Sequence, residues 1–227
     1  MSATTHALHL DRFEAAKAGL PGDARARADA LARYAKLGVP TPKLEAWHFT
    51  SLKPLDEAAF APSDAKGAAV TAATVAAHAL STSHAHHQLV FVDGRFRVDL
   101  SRIGTLPKGV VLAGWSASKA LPMGLLAEAA DAGAMRALNA AYAADGAILE
   151  VPAGVALAAP VHLLFLGASG AAHVRNRIAM GEGASATVLE TYAGTGRYWT
   201  NAVTDVSIGA QAALTHLGLE RIAEVFC

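Results

Sequence analysis

Three short turn segments, Val151-Pro-Ala-Gly-Val155, Gly181-Glu-Gly-Ala184 and Gly209-Ala-Gln-Ala212, recur in the last third of the chain and limit its fold more than any other feature. The spacing from Val155 to Ala184 nearly equals that from Ala184 to Ala212, and each turn is followed by a short apolar, β-rich stretch. Such an even repeat, in which no unit carries a full core, predicts a solenoid whose units bury their faces against their neighbours. After Gly146 the chain is rich in Val, Ile, Leu and Thr, and strands are expected over 147–151, 155–157, 161–166, 173–180, 185–192, 200–208 and 213–219. The uncharged run 151–174 is long enough to cross a bilayer as a helix, but Pro152, Gly154, Pro160, Gly167 and Gly170 break it into short buried strands instead.

The first two thirds read differently. Leu10, Phe13 and Ala16 suggest a first helix that ends near Gly19 and Pro21. A second begins behind Asp23 as N-cap, presents Leu31, Tyr34 and Leu37 on one face and stops at Gly38, giving a helical hairpin. Pro40, Pro42 and Pro54 forbid a long helix over 40–55, where Trp47, Phe49 and Leu52 offer an anchoring surface. Residues 88–92, Asp93-Gly94 and 95–98 predict a β-hairpin, because Asp-Gly supplies the positive φ of a two-residue type I′ turn. Two further helices are expected over 122–130 and 132–144. The expected organisation is therefore a helical and extended region over 1–57, a mixed α/β segment over 58–146 and coils over 147–227: a mainly β chain with a helical N-terminal region.

Nineteen basic and nineteen acidic side chains, scattered singly among one another, argue against nucleic acid as a partner. The single cysteine, Cys227, allows no internal disulfide and no cysteine-based metal set, which fits a reducing cytoplasm. Asp11, Arg12 and Glu14 interrupt any apolar leader run. Gly181-Glu-Gly183 lacks the third glycine and the helix start of a dinucleotide site, so any ATP hydrolysis belongs to a partner.

Several polar groups are candidate sites. His84, His86 and His87 are potential metal ligands, but an extended segment splits them between two sides, and a solvated loop is the preferred reading. His173, Arg175 and Arg177 alternate along a strand and would form an outward polar row, with Asn176 on the other face. Thr200 and Asn201 suit a coil corner. His216 is either an outward residue or a hydrogen-bonded interior one, without a partner that the sequence supplies.

Colinear motifs add a resemblance. Leu37-Gly38 and Pro40-Thr-Pro-Lys43-Leu-Glu45-Ala-Trp47-His-Phe49-Thr50-Ser-Leu52 resemble the N-terminal signature of the SufB/SufD family of the SUF iron–sulfur cluster assembly machinery, closer to its SufD branch. Val90-Phe-Val-Asp93-Gly94-Arg95-Phe96 with Leu100-Ser101, Leu138-Asn139 through Asp145-Gly146 into Val151-Pro152, Arg175-Asn176-Arg177-Ile178, Glu190, Thr200-Asn201 and Thr215-His216 agree in order. His48 and Phe49 stand where the family usually has a basic residue and Tyr.

The resemblance implies a right-handed parallel β-helix, flanked by helical domains, in a cytoplasmic and non-catalytic scaffold that pairs with a SufB-like paralogue and a SufC-like ATPase. It also implies an iron–sulfur cluster, with a flavin in the wider complex, at the level of the assembly and not of this chain alone. Family members continue for more coils and a terminal helical domain, so the chain is expected to represent an N-terminal portion. No catalytic, cofactor-binding or metal-binding residue carries over. An uncapped edge at 214–219 would favour a homodimer or aggregation unless 221–226 fold back over it. Two other readings stand beside this one: a β-helix carbohydrate-active enzyme, for which only Glu190 and Asp205 lie in suitable strands, and a small metal-binding module built on His84, His86 and His87.

Overall fold

The computed structural model describes residues 4–63, 70–80, 85–118 and 133–221. Helix α1 (Thr5–Lys17) starts where the Thr4 hydroxyl accepts from the Ala7 amide, and α2 (Ala24–Leu37) starts on the Asp23 carboxylate and ends at Gly38 with φ 68°. The buried faces are Thr5, His9 and Phe13 on α1 and Arg27, Ala30 and Tyr34 on α2. The expected α2 stripe is thus turned: Tyr34 is interior, whereas Leu37 is exposed. Two short helices follow, α3 (Lys53–Glu57) and α4 (Ala72–His78), and then α5 (Ala134–Tyr142). The expected helix over 122–130 lies outside the described residues.

Among the described residues, seven strands form one mixed sheet: β1 (His87–Val92), β2 (Arg95–Phe96), β3 (Val111–Gly114), β4 (Ala147–Val151), β5 (Val161–Met180), β6 (Ser185–Ile208) and β7 (Ala213–Arg221). The Asp93-Gly94 hairpin forms as its sequence dictates, with φ of 46° and 80° at the two turn residues and Val92 opposite Arg95. Its second arm ends at Phe96, because residues 98–100 turn into a short 3-10 helix. Strands β1/β2 and β3/β4 are antiparallel, and β1, β4, β5, β6 and β7 stack in parallel.

Sequence spacing and parallel register coincide. Ile148 of β4 lies beside Arg177 of β5, and Ser185 of β6 beside Ala213 of β7, so each pairing spans the interval of the turn repeat. Between β5 and β6, Val161 pairs with Val188 and Ser169 with Arg197, the offset widening by one position at a register shift between Gly167 and Ser169. Two expected breaks are absent. The sequence reading ends a strand near Gly167 and Gly170, yet β5 runs through both, because glycines let the backbone bend while its ladder continues. The same holds for Gly194 and Gly196 in β6. Residues 155–157 form only an isolated bridge from Ala156 to Ser185.

Alternate residues of the stacked strands face one interior, where Leu89, Phe91, Leu149, Val161, Leu163, Phe165, Val174, Ile178 and Val188 form the main core. Phe91, Phe165 and Tyr192 occupy one register position and stack face to face, with centroids 5.0 and 4.9 Å apart. On the outside, Val90, Val92, Leu164 and Leu166 are covered by Val75 of α4. A further outer face is covered by α1, α2 and α5, whose packing centres on Phe13, Tyr34, Leu138 and Tyr142. Arg27, fully buried, ties α2 to α5 by donating to the carbonyls of Ala140, Ala141 and Ala143, at 3.3, 3.0 and 2.8 Å, and to Pro21.

Candidate functional site

The helical cover places His9 of α1 directly over His173 of β5, Nε2 to Nε2 at 2.9 Å. Surrounding bonds fix the protons. The Thr5 carbonyl lies 2.7 Å from His9 Nδ1, so that nitrogen donates and His9 Nε2 accepts. His173 Nε2 must then donate, and its Nδ1 accepts from the Asn201 amide at 3.3 Å. Asn201 also donates to the Met135 carbonyl, and the Tyr142 hydroxyl donates to the His9 carbonyl. Both imidazoles are therefore neutral. Burial pushes His9 down from 6.5 to about 4, with the backbone bond to Thr5 opposing, and burial and His9 push His173 well below its usual value. Trp199 packs edge-on against both rings.

A second polar constellation lies among the stacked strands. Asn176 accepts from the Ala147 amide and donates to Thr204, and Thr204 donates to Glu190 Oε1 at 2.7 Å. His216 Nε2 reaches the same oxygen at 3.1 Å, and Tyr192 donates to Oε2. Burial, then Glu190, raises the Tyr192 hydroxyl far above its ordinary range. Glu190 is satisfied on both oxygens, so its interior placement is stabilised by hydrogen bonds from β6 and β7.

The outward polar row is corrected. His173 and Arg175 are 3% and 1% exposed, with α1 over His173 and α5 beside the Asp205 partner of Arg175, whereas Arg177 is half-buried. Arg175 pairs with Asp205 at 2.7 Å, and Arg136 of α5 joins the same carboxylate at 2.9 Å. Asn201 sits within the ladder beside His173 and not at a corner. His86 and His87 do not form a solvated loop: both are buried, and His87 opens β1 with its Nδ1 accepting from Gly104. His84 and Cys227 lie outside the described residues. Among those described, no three His, Cys, Asp or Glu side chains form a metal-holding group. Glu190 faces the interior and Asp205 the outside, so they are not a catalytic carboxylate pair. His216 does have a partner, Glu190, which the stacking of β7 on β6 brings to it. His9 escapes sequence reasoning; its only signal is the Thr5, His9, Phe13 spacing of four along α1. The anchoring segment is half realised: Phe49 is 97% exposed, while Leu52 lines a groove of about 1050 Å³ opposite Tyr198 and Trp199.

A mixed, largely parallel sheet under a helical cover defines an α/β protein in which the His9–His173 and Glu190 constellations are tied into structural hydrogen bonds. Residues 24–163 match the model described as the SufBD protein N-terminal region, and the chain belongs to the SufBD family. It is also similar to an iron–sulfur cluster assembly SufBD family protein of Synechocystis sp. (strain PCC 6803), with 28% identity over 205 residues. That match takes in 82% of this chain and 44% of the cyanobacterial protein, so the chain spans less than half the length of that relative. Among the described residues, no helix is long and apolar enough to cross a membrane.

Proposed function

We propose that this chain is a SufD-like, non-catalytic scaffold subunit of iron–sulfur cluster assembly, acting in the cytoplasm with a SufB-like paralogue and a SufC-like ATPase. The match of residues 24–163 to the SufBD N-terminal region carries this reading. The stacked strands support it, and we read them as the opening coils of a right-handed parallel β-helix whose interior is filled by the Phe91, Phe165 and Tyr192 stack. The chain then corresponds to the N-terminal portion of a longer family architecture. Iron–sulfur clusters are cargo of the assembly, and a flavin, where present, belongs to the complex.

Co-expression with the paralogue and the ATPase, followed by affinity capture of this chain and a cluster-transfer assay, tests the proposal. Stoichiometric recovery of the paralogue supports it. Recovery of neither partner, with the chain folded, refutes the scaffold role. In isolation, the exposed β7 residues Leu217 and Leu219 favour self-association. Those same residues would then be shielded in the captured complex.

A further inference from the structure

A cleft of about 380 Å³ opens between the second half of α1, the β1–β2 hairpin tip and the bend of β5. Its walls carry Arg12 from the helix and Arg95 from the hairpin. Unlike Arg27, Arg136 and Arg175, neither takes part in a hydrogen bond or ion pair with any described residue. The acidic group in the cleft lining, Asp93, is 5% exposed and accepts from the Ala168 and Ser169 amides at 2.7 and 3.3 Å, so that oxygen is turned to the β5 bend. Ala171 and Ala172 form the floor, and these side chains are too short to fill the space. The back wall is His173, neutral and fully enclosed, whose ring a negative charge in the cleft would favour in its protonated form.

We propose that this cleft binds one small dianion, a phosphomonoester or a dicarboxylate, held between the Arg12 and Arg95 guanidiniums. Planar guanidinium forks match both oxyanions in bidentate geometry, and two of them on separate elements outweigh the single Asp93 carboxylate in the cleft lining, whose oxygen is turned to the β5 amides. The volume lies at the lower end of ligand cavities, which limits the guest to a few heavy atoms beyond its charged group. Binding joins α1 to the hairpin, so the ligand would hold the helical cover onto the sheet. This site is independent of the scaffold reading.

Isothermal titration of the full chain near neutral pH, at fixed ionic strength, with glycerol 3-phosphate, inorganic phosphate and succinate as separate probes up to about 10 mM, tests it. Saturable one-to-one binding is expected, weakened about tenfold or more by Arg12→Gln or Arg95→Gln, the usual worth of a charged hydrogen bond. Lys43→Gln, which removes the same charge from an exposed loop, should leave affinity within about twofold. Whichever probe binds more tightly identifies the phosphate or carboxylate class. Thermal melting of each variant verifies that it is folded. Absence of saturable binding for all three probes, or equal weakening by Lys43→Gln and Arg95→Gln, overturns the proposal.

Discussion

Acidification should loosen the helical cover through the His9 and His173 pair. Both imidazoles are held neutral in the fold, so the unfolded chain, with ordinary histidines near 6.5, binds more protons as pH falls. Their lowered values contribute stability that is fully present above about pH 6.5 and is lost as pH falls from there towards about 4. At pH 5 an imidazole shifted from 6.5 to about 4 has lost about 2 kcal/mol relative to pH 7.5, the share of His9, and His173, shifted in the same direction by burial, adds to the loss. That is a large part of the roughly 5–15 kcal/mol that holds a typical domain together. His162, also pushed down to about 4 by burial, adds a similar slope that does not involve α1. Urea unfolding at about pH 7.5, 6 and 5 should therefore show a steep fall for the natural chain. The His9→Gln/His173→Gln double variant, which cannot titrate there, should begin less stable but lose less over the same interval, by about 2 kcal/mol or more. Equal pH dependence in the two proteins would refute the reasoning.

Two substitutions probe the framework. Arg27→Met leaves the carbonyls of Ala140, Ala141 and Ala143 without their buried donor and should cost on the order of 4 kcal/mol in urea unfolding, whereas exposed Arg25→Met should cost about 0.5 kcal/mol or less. Gly194→Ala would set a Cβ 2.0 Å from the Gly167 carbonyl oxygen and should lower Tm by roughly 4–8 °C, the equivalent of about 2 kcal/mol of overpacking. Gly218→Ala, exposed in β7 with open space around its Cβ, should leave Tm nearly unchanged.

What the sequence made legible was local. Asp23 and Gly38 bound α2, and Asp93-Gly94 sets the hairpin, because each uses a conformation available to few residue types. The repeat announced stacking, since parallel register repeats the sequence interval. Long-range facts were hidden. Gln88 lies beside His162, and no periodicity connects residues so distant in the chain. Alternation placed His173 and Arg175 on one face correctly but could not tell that helices distant in sequence would cover it. The partnership of Glu190 with His216 was equally invisible, because it exists only once one strand lies upon the next.

The extra residue that β6 absorbs between Gly194 and Arg197, opposite Gly167 and Ser169 of β5, shows where this architecture tolerates changes in length. Along β6 and β7 the interval is constant, so a single added residue there would invert every later side chain, sending Leu214 outward and Thr215 into the apolar column. At the glycine bend the ladder already slips by one, and the interior passes from odd to even residues of β5, Phe165 before the bend and Val174 after it, while the apolar column continues. Engineered insertions, tags or natural length variants are thus best accommodated at that bend.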